Sequence, residues 1–97
     1  MNYGTLHIIS HLNAHVFLQV SQMLAKEDAL LLIQDAVIAG TQKSPHAFLT
    51  LPNEIYLLHA DLEARGLISH ILPTCQIVND QQFVNLVITY PRNIHWT

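Results

Sequence analysis

The stretch from Asp28 to Val37 constrains this chain more than any other. The charged pair Glu27 and Asp28 leads into an unbroken apolar run, Ala29 to Ile33, which Gln34 and Asp35 end abruptly. The run does not alternate, so it does not read as a half-exposed strand. A continuous apolar run between polar residues suits a strand covered on both faces. Periodicity alone leaves a buried helix open, and the shortness of the run decides for the strand. Gln34 and Asp35 then stand at the carboxyl end of a central parallel strand, where α/β folds place their functional surfaces.

The rest of the chain alternates in the same manner. Thr5 to Ile9 is rich in β-formers and predicts the first strand, and Ser10 or Asn13 offers a helix N-cap. Ala14 to Ala25 predicts a helix, with Ala14, Phe17, Leu18, Leu24 and Ala25 near helical spacing. Val16, Val20 and Met23 make its other side apolar, so it should be covered on both sides. Val37 to Gly40 predicts a short helix. Thr41 to Ser44, with Pro45 and His46, reads as a polar loop suited to disorder or partner contact, and Ala47 to Leu51 as a second short helix or turn. Glu54 to Leu58 predicts the third strand, followed by a short helix that Gly66 stops. Leu67 to Pro73 crosses over irregularly, and Cys75 to Val78 predicts the fourth strand. Asn79 and Asp80 cap a last helix in which Phe83, Leu86, Val87 and Tyr90 share one face, ended by Pro91. Arg92 to Thr97 is left as a tail carrying the only tryptophan, Trp96. Strands alternating with helices and joined by short loops imply one α/β domain over residues 1–97, a parallel sheet with helices on both faces.

Charge narrows the function. Only 11% of residues are charged, against roughly 25% in an ordinary soluble domain. So little charge on so small a chain means either that much of its surface is neutral polar or that part of it is covered by other subunits, and the second is favoured because exposed apolar patches mark interaction sites. The net charge is −3, and the four cations, Lys26, Lys43, Arg65 and Arg92, are scattered, which argues against direct nucleic-acid binding. No stretch is long and apolar enough for a membrane span, and no signal-peptide pattern opens the chain, so the cytoplasm is the expected location.

No glycine-rich phosphate loop and no G-x-S-x-G elbow occurs. His7, His11 and His15 are spaced by four, but His7 falls in a strand, and His11 with His15 lacks a further ligand. The histidines therefore read as ordinary surface or loop residues, with no metal and no cofactor expected. Cys75 is the only cysteine. It opens an apolar strand with no cation beside it in sequence, which suits a small core filler better than a reactive thiolate. Asp35 is either part of a binding pair with Gln34 or the cap of the following helix.

Four ordered stretches, Leu6 with His7, Asp28 to Val37, Asp61 to Leu67, and Phe83 to Leu86 with a tail ending in Trp96, resemble the TusB/DsrH family of small sulfur-relay proteins. Asp28 to Val37 follows the family pattern G-D-x-L-L-L-x-Q-D-G-V, with Ala36 in place of its last glycine, so that turn should need no positive φ. The resemblance implies a DsrE/F/H-like fold and a heterohexamer with TusC-like and TusD-like subunits. Such a complex passes persulfide sulfur through further carriers toward 2-thiouridine at the tRNA wobble position. The family's essential cysteine belongs to the TusD-like chain, so this chain would be a non-catalytic partner, with Gln34, Asp35 and Trp96 as candidate docking residues. The first helix lacks the cysteine found in DsrH proteins of sulfur oxidisers, which favours the tRNA branch. Two other functions are weighed beside it: a direct persulfide carrier through Cys75, and a free-standing small-ligand or metal-binding domain.

Overall fold

A computed structural model describes residues 3–43 and 52–96. Five parallel strands form one sheet in the order β4-β3-β2-β1-β5. They are β1 (Thr5–Ile9), β2 (Ala29–Leu32), β3 (Glu54–Leu58), β4 (Cys75–Val78) and β5 (Arg92–Trp96). The helices are α1 (Ala14–Met23), α2 (His59–Ala64) and α3 (Asp80–Thr89), with 3-10 helices at Gln34–Gly40 and Ile68–His70.

β2 is central, and all four of its residues are buried, which is why its sequence is apolar without alternation. Leu30 and Leu32 point into a core built with Ile9, Ile55, Leu57 and Cys75, covered by α1, the first 3-10 helix and Leu62 of α2. Ala29 and Leu31 point the other way, with Leu6, Val78 and Tyr90, toward Phe83, Leu86 and Val87 of α3. The expected layering, helices on both faces of a parallel sheet, is what the chain adopts. The cap at α3 is also as read. Asn79 accepts from the Gln82 backbone N–H and Gln82 returns the bond to Asn79, a complete capping box. Gly66, at φ +66°, ends α2 with its own N–H on the Glu63 carbonyl and the Leu67 N–H on the Leu62 carbonyl.

Several expectations give way. Arg92 to Trp96 is not a loose tail but the edge strand β5, paired in register with the whole of β1. Helix α1 stops at Met23 rather than Ala25. It buries Val16, Phe17 and Val20 against the sheet, while Leu18 and Met23 stay 57% and 59% exposed, so within this chain it is covered on one side only. The helix expected at Val37 to Gly40 begins three residues earlier as a 3-10 helix. Its N-cap is Ile33 with no side-chain bond, so Asp35 does not cap it. The crossover from Leu67 to Pro73 contains a 3-10 turn at Ile68–His70. Thr41, at the start of the expected polar loop, is fully buried and bridges Ile71, while the Gln42 N–H reaches the His70 carbonyl. Ser44, Pro45, His46 and the segment Ala47 to Leu51 lie outside the described residues.

Candidate functional site

The end of β2 and the start of α2 meet at the carboxyl end of the sheet. Gln34 leaves β2 at φ 51°, the left-handed region that a non-glycine residue enters at a cost of about 1–2 kcal/mol. The turn therefore does require positive φ, at Gln34, two residues before the alanine that replaces the family glycine. This conformation aims the Gln34 backbone N–H at Asp61 Oδ2, 2.7 Å away on α2. One helical turn later Arg65 donates from Nη1 to the Asp61 carbonyl at 3.0 Å. Its Nε and Nη2 donate to Asp35 Oδ1 at 3.1 and 2.7 Å. Two stretches about thirty residues apart are thus tied into one polar patch. Asp35 is 65% exposed in this pair, so the pair itself stabilises the fold by less than about 1 kcal/mol.

The chemistry this patch offers is recognition. Both carboxylates already accept hydrogen bonds, and the guanidinium is committed to Asp35 and the Asp61 carbonyl. Gln34→Gly is expected to raise stability by about 1 kcal/mol in urea unfolding, because glycine takes the left-handed conformation without strain. No gain would mean that glycine's extra freedom in the unfolded chain offsets the strain it relieves, since the backbone bond to Asp61 is kept in both variants.

Cys75 lies elsewhere. It opens β4 at the amino end of the sheet, opposite the end that carries Gln34 and Asp35, and is 6% exposed. Burial pushes its thiol up, and a hydrogen bond with Thr74 offsets this only in part. Such a thiol carries little thiolate near neutral pH.

Trp96 sits at the carboxyl end of β5, but its polar contact runs inward. Its Nε1–H donates to His7 Nδ1 at 3.0 Å, and the two rings stack with centroids 6.1 Å apart. His7 Nε2 meets Asp28 Oδ2 at 2.9 Å. Because Nδ1 must accept from the indole, the imidazole proton is on Nε2 and is donated to the carboxylate. Asp28 also accepts from the Thr5 N–H at 2.8 Å and the Ala25 N–H at 3.0 Å. Burial would push the Asp28 carboxyl up; the Thr5 and Ala25 N–H groups, with His7, outweigh it and hold it below its ordinary value near 3.8. Gly4 lets β1 approach here, since a Cβ at that position would overlap Asp28 Oδ1.

His7 is only 2% exposed, which corrects its reading as a surface or loop histidine. His11 and His15 are exposed, and among the described residues no three His, Cys, Asp or Glu side chains gather as metal ligands. The partners missed in sequence are Asp61 and Arg65 for the polar patch, and His7 with Asp28 for Trp96. The i, i+4 spacing of Asp61 and Arg65 just after a strand was the available signal for the first. An aspartate directly ahead of a fully apolar strand was the signal for the second, since a buried carboxylate must collect donors.

Comparison with known proteins agrees with these motifs. Residues 10–93 match the family model described as DsrH like protein. A protein of Erwinia tasmaniensis, Protein TusB, is 38% identical over 79 residues, covering 79% of this chain and 83% of that one. Protein TusB of Yersinia pestis is 33% identical over 94 residues, 94% of this chain and 99% of its own. In structure, the ychN protein from E. coli superposes with a TM-score of 0.75 over 98% of this chain and all of its own, at 11% identity, which shows a common fold. With β2, β3, β4 and all of the described helices inside the matched region, the chain belongs to the DsrH-like family.

Proposed function

We propose that this chain is a non-catalytic subunit of a cytoplasmic sulfurtransferase complex, assembled with TusC-like and TusD-like chains. In this reading the complex relays persulfide sulfur toward 2-thiolation of the tRNA wobble uridine. The observation that carries the non-catalytic part is Cys75: the one thiol is buried, raised in pKa and remote from the polar patch. Persulfide transfer needs an accessible thiolate as nucleophile. The family match supports the relay setting, and among the described residues no helix is long and apolar enough to cross a membrane.

The docking surfaces in this reading are the patch around Gln34 and Asp35, the β5 end with Trp96, and the outer side of α1. Leu18 and Met23 leave a layer of apolar surface on a helix whose inner face is already packed.

Co-expression with TusC-like and TusD-like chains followed by size-exclusion chromatography tests the assembly. One co-eluting complex that still transfers sulfur with Cys75→Ser is expected. Elution of this chain as a lone monomer, or loss of transfer in Cys75→Ser, overturns the reading. Leu18→Glu with Met23→Glu should weaken co-elution at least tenfold while the isolated chain melts within a few degrees of the parent. Unchanged co-elution removes α1 from the interface.

A further inference from the structure

The contact between His7 and Trp96 joins the most buried histidine of the described chain to an indole at the sheet edge, and the bond exists in only one protonation state. With His7 neutral, its Nε2–H is given to Asp28 and its bare Nδ1 receives the indole N–H. A proton taken up by the ring can go only to Nδ1. The bond to Asp28 is then kept and becomes charge-assisted, while Nδ1–H and the Trp96 Nε1–H become two donors facing one another. Asp28 stays ionised through this range, because its carboxyl is held below the ordinary carboxylate value.

We infer that His7 is a proton-operated latch: the neutral ring holds Trp96 and the end of β5 against the sheet, and the protonated ring releases them. The groups around the latch fit this assignment. Asp28 is the only buried carboxylate among the described residues and touches the ring directly. Tyr90, at the end of α3, is buried and within electrostatic reach of Asp28, but burial raises its phenol, so it stays neutral in this range. Lys26 and Glu27 ahead of β2, His15 on α1, and Arg92 and His95 on β5 are exposed. Release is feasible because Trp96 is only half-buried, packs at the rim of the core rather than within it, and stands on an edge strand. The inference stands on the chain alone and does not depend on the proposed assembly.

Trp96 is the only tryptophan, so its fluorescence reads the latch without labelling. The experiment is an emission titration of the full-length chain from about pH 8 to pH 5, where imidazoles ordinarily take up a proton. The expected result is a one-proton transition, with the ratio of held to released indole changing tenfold per pH unit. His95→Gln should keep the transition, because His95 Nε2 contacts Ser10 Oγ rather than the indole. His7→Gln should abolish it. A flat wild-type titration, a transition that survives His7→Gln, or one that disappears in His95→Gln overturns the latch.

Nitrogen-15 NMR of the unmutated chain covers the case in which His7→Gln does not fold. His7 protonated on Nε2 alone at pH 8, with the Trp96 indole resonance moving by pH 5, supports the latch. A proton on Nδ1 at pH 8, or an indole resonance identical at both pH values, overturns it.

Discussion

Asp28→Ala is expected to remove about 3–5 kcal/mol from the stability of the fold, measured by urea unfolding at pH 7. The substitution strands three donors at once: the Thr5 N–H, the Ala25 N–H and His7 Nε2–H. A domain of this size holds roughly 5–10 kcal/mol in total, so the variant should be near unfolding at 25 °C. Asp28→Asn is nearly isosteric and still costs about 2 kcal/mol or more, because one of its two positions becomes a donor. Turned either way, the amide opposes a backbone N–H. His7 can shift its proton to accept from the amide, but its new Nδ1–H then opposes the Trp96 indole. A cost below 1 kcal/mol for the alanine variant would mean that water replaces the carboxylate without loss. The same group sets a pH dependence. Its folded pKa is lowered, so its contribution is present above the unfolded value near 3.8 and is lost as pH falls through the folded value. The stability gap between wild type and Asp28→Asn should therefore shrink as pH falls below about 4.

Trp96→Ala should cost about 3 kcal/mol, from lost indole packing and a buried His7 Nδ1 left without a donor. Trp96→Phe separates the two, since it keeps a ring and deletes the N–H; about 1 kcal/mol is expected from the bond alone. If phenylalanine matches wild type, the hydrogen bond contributes nothing and only the packing matters. Because Trp96 is also a candidate docking residue, both variants belong in the co-elution assay. A variant that melts like wild type yet fails to co-elute would place the ring in the interface.

How far the sequence carried depended on how completely each element is covered. β1 to β3 lie inside the sheet, and β4, though the other edge, keeps Cys75 and Val78 buried, so each carries enough apolar residues to be read as a strand. The Phe83, Leu86, Val87 and Tyr90 stripe was legible for the same reason, since one side of α3 meets the sheet and the other meets solvent. β5 was not legible. At the edge it needs apolar character on little of its surface, and Arg92, Asn93 and His95 mask Ile94 and Trp96. Local capping rules placed Asn79 and Gly66 correctly, because each acts within a turn of its own helix. Asp35 obeyed a distant partner instead: Arg65, thirty residues on, takes the carboxylate that a cap would have used. His7, Asp28 and Trp96 failed as a group for the same cause. Each belongs to a stretch that resembles the family, but nothing in their separate spacings says that the three stretches meet.

The pairing of the last strand with the first has a consequence for how the molecule is made. His7 and Trp96 are 89 positions apart, nearly the full span of the chain. The ladder between β1 and β5 cannot form until β5 is available, and contacts of such long separation are slow to form. Until then β1 presents an open edge, unpaired and next to a fully apolar neighbour, which is a template for association with another chain. A chain stopped at Pro91 would hold that edge open permanently. The final five residues of the sheet thus act as its closure, and premature termination there would give a protein that aggregates rather than one that is merely shorter.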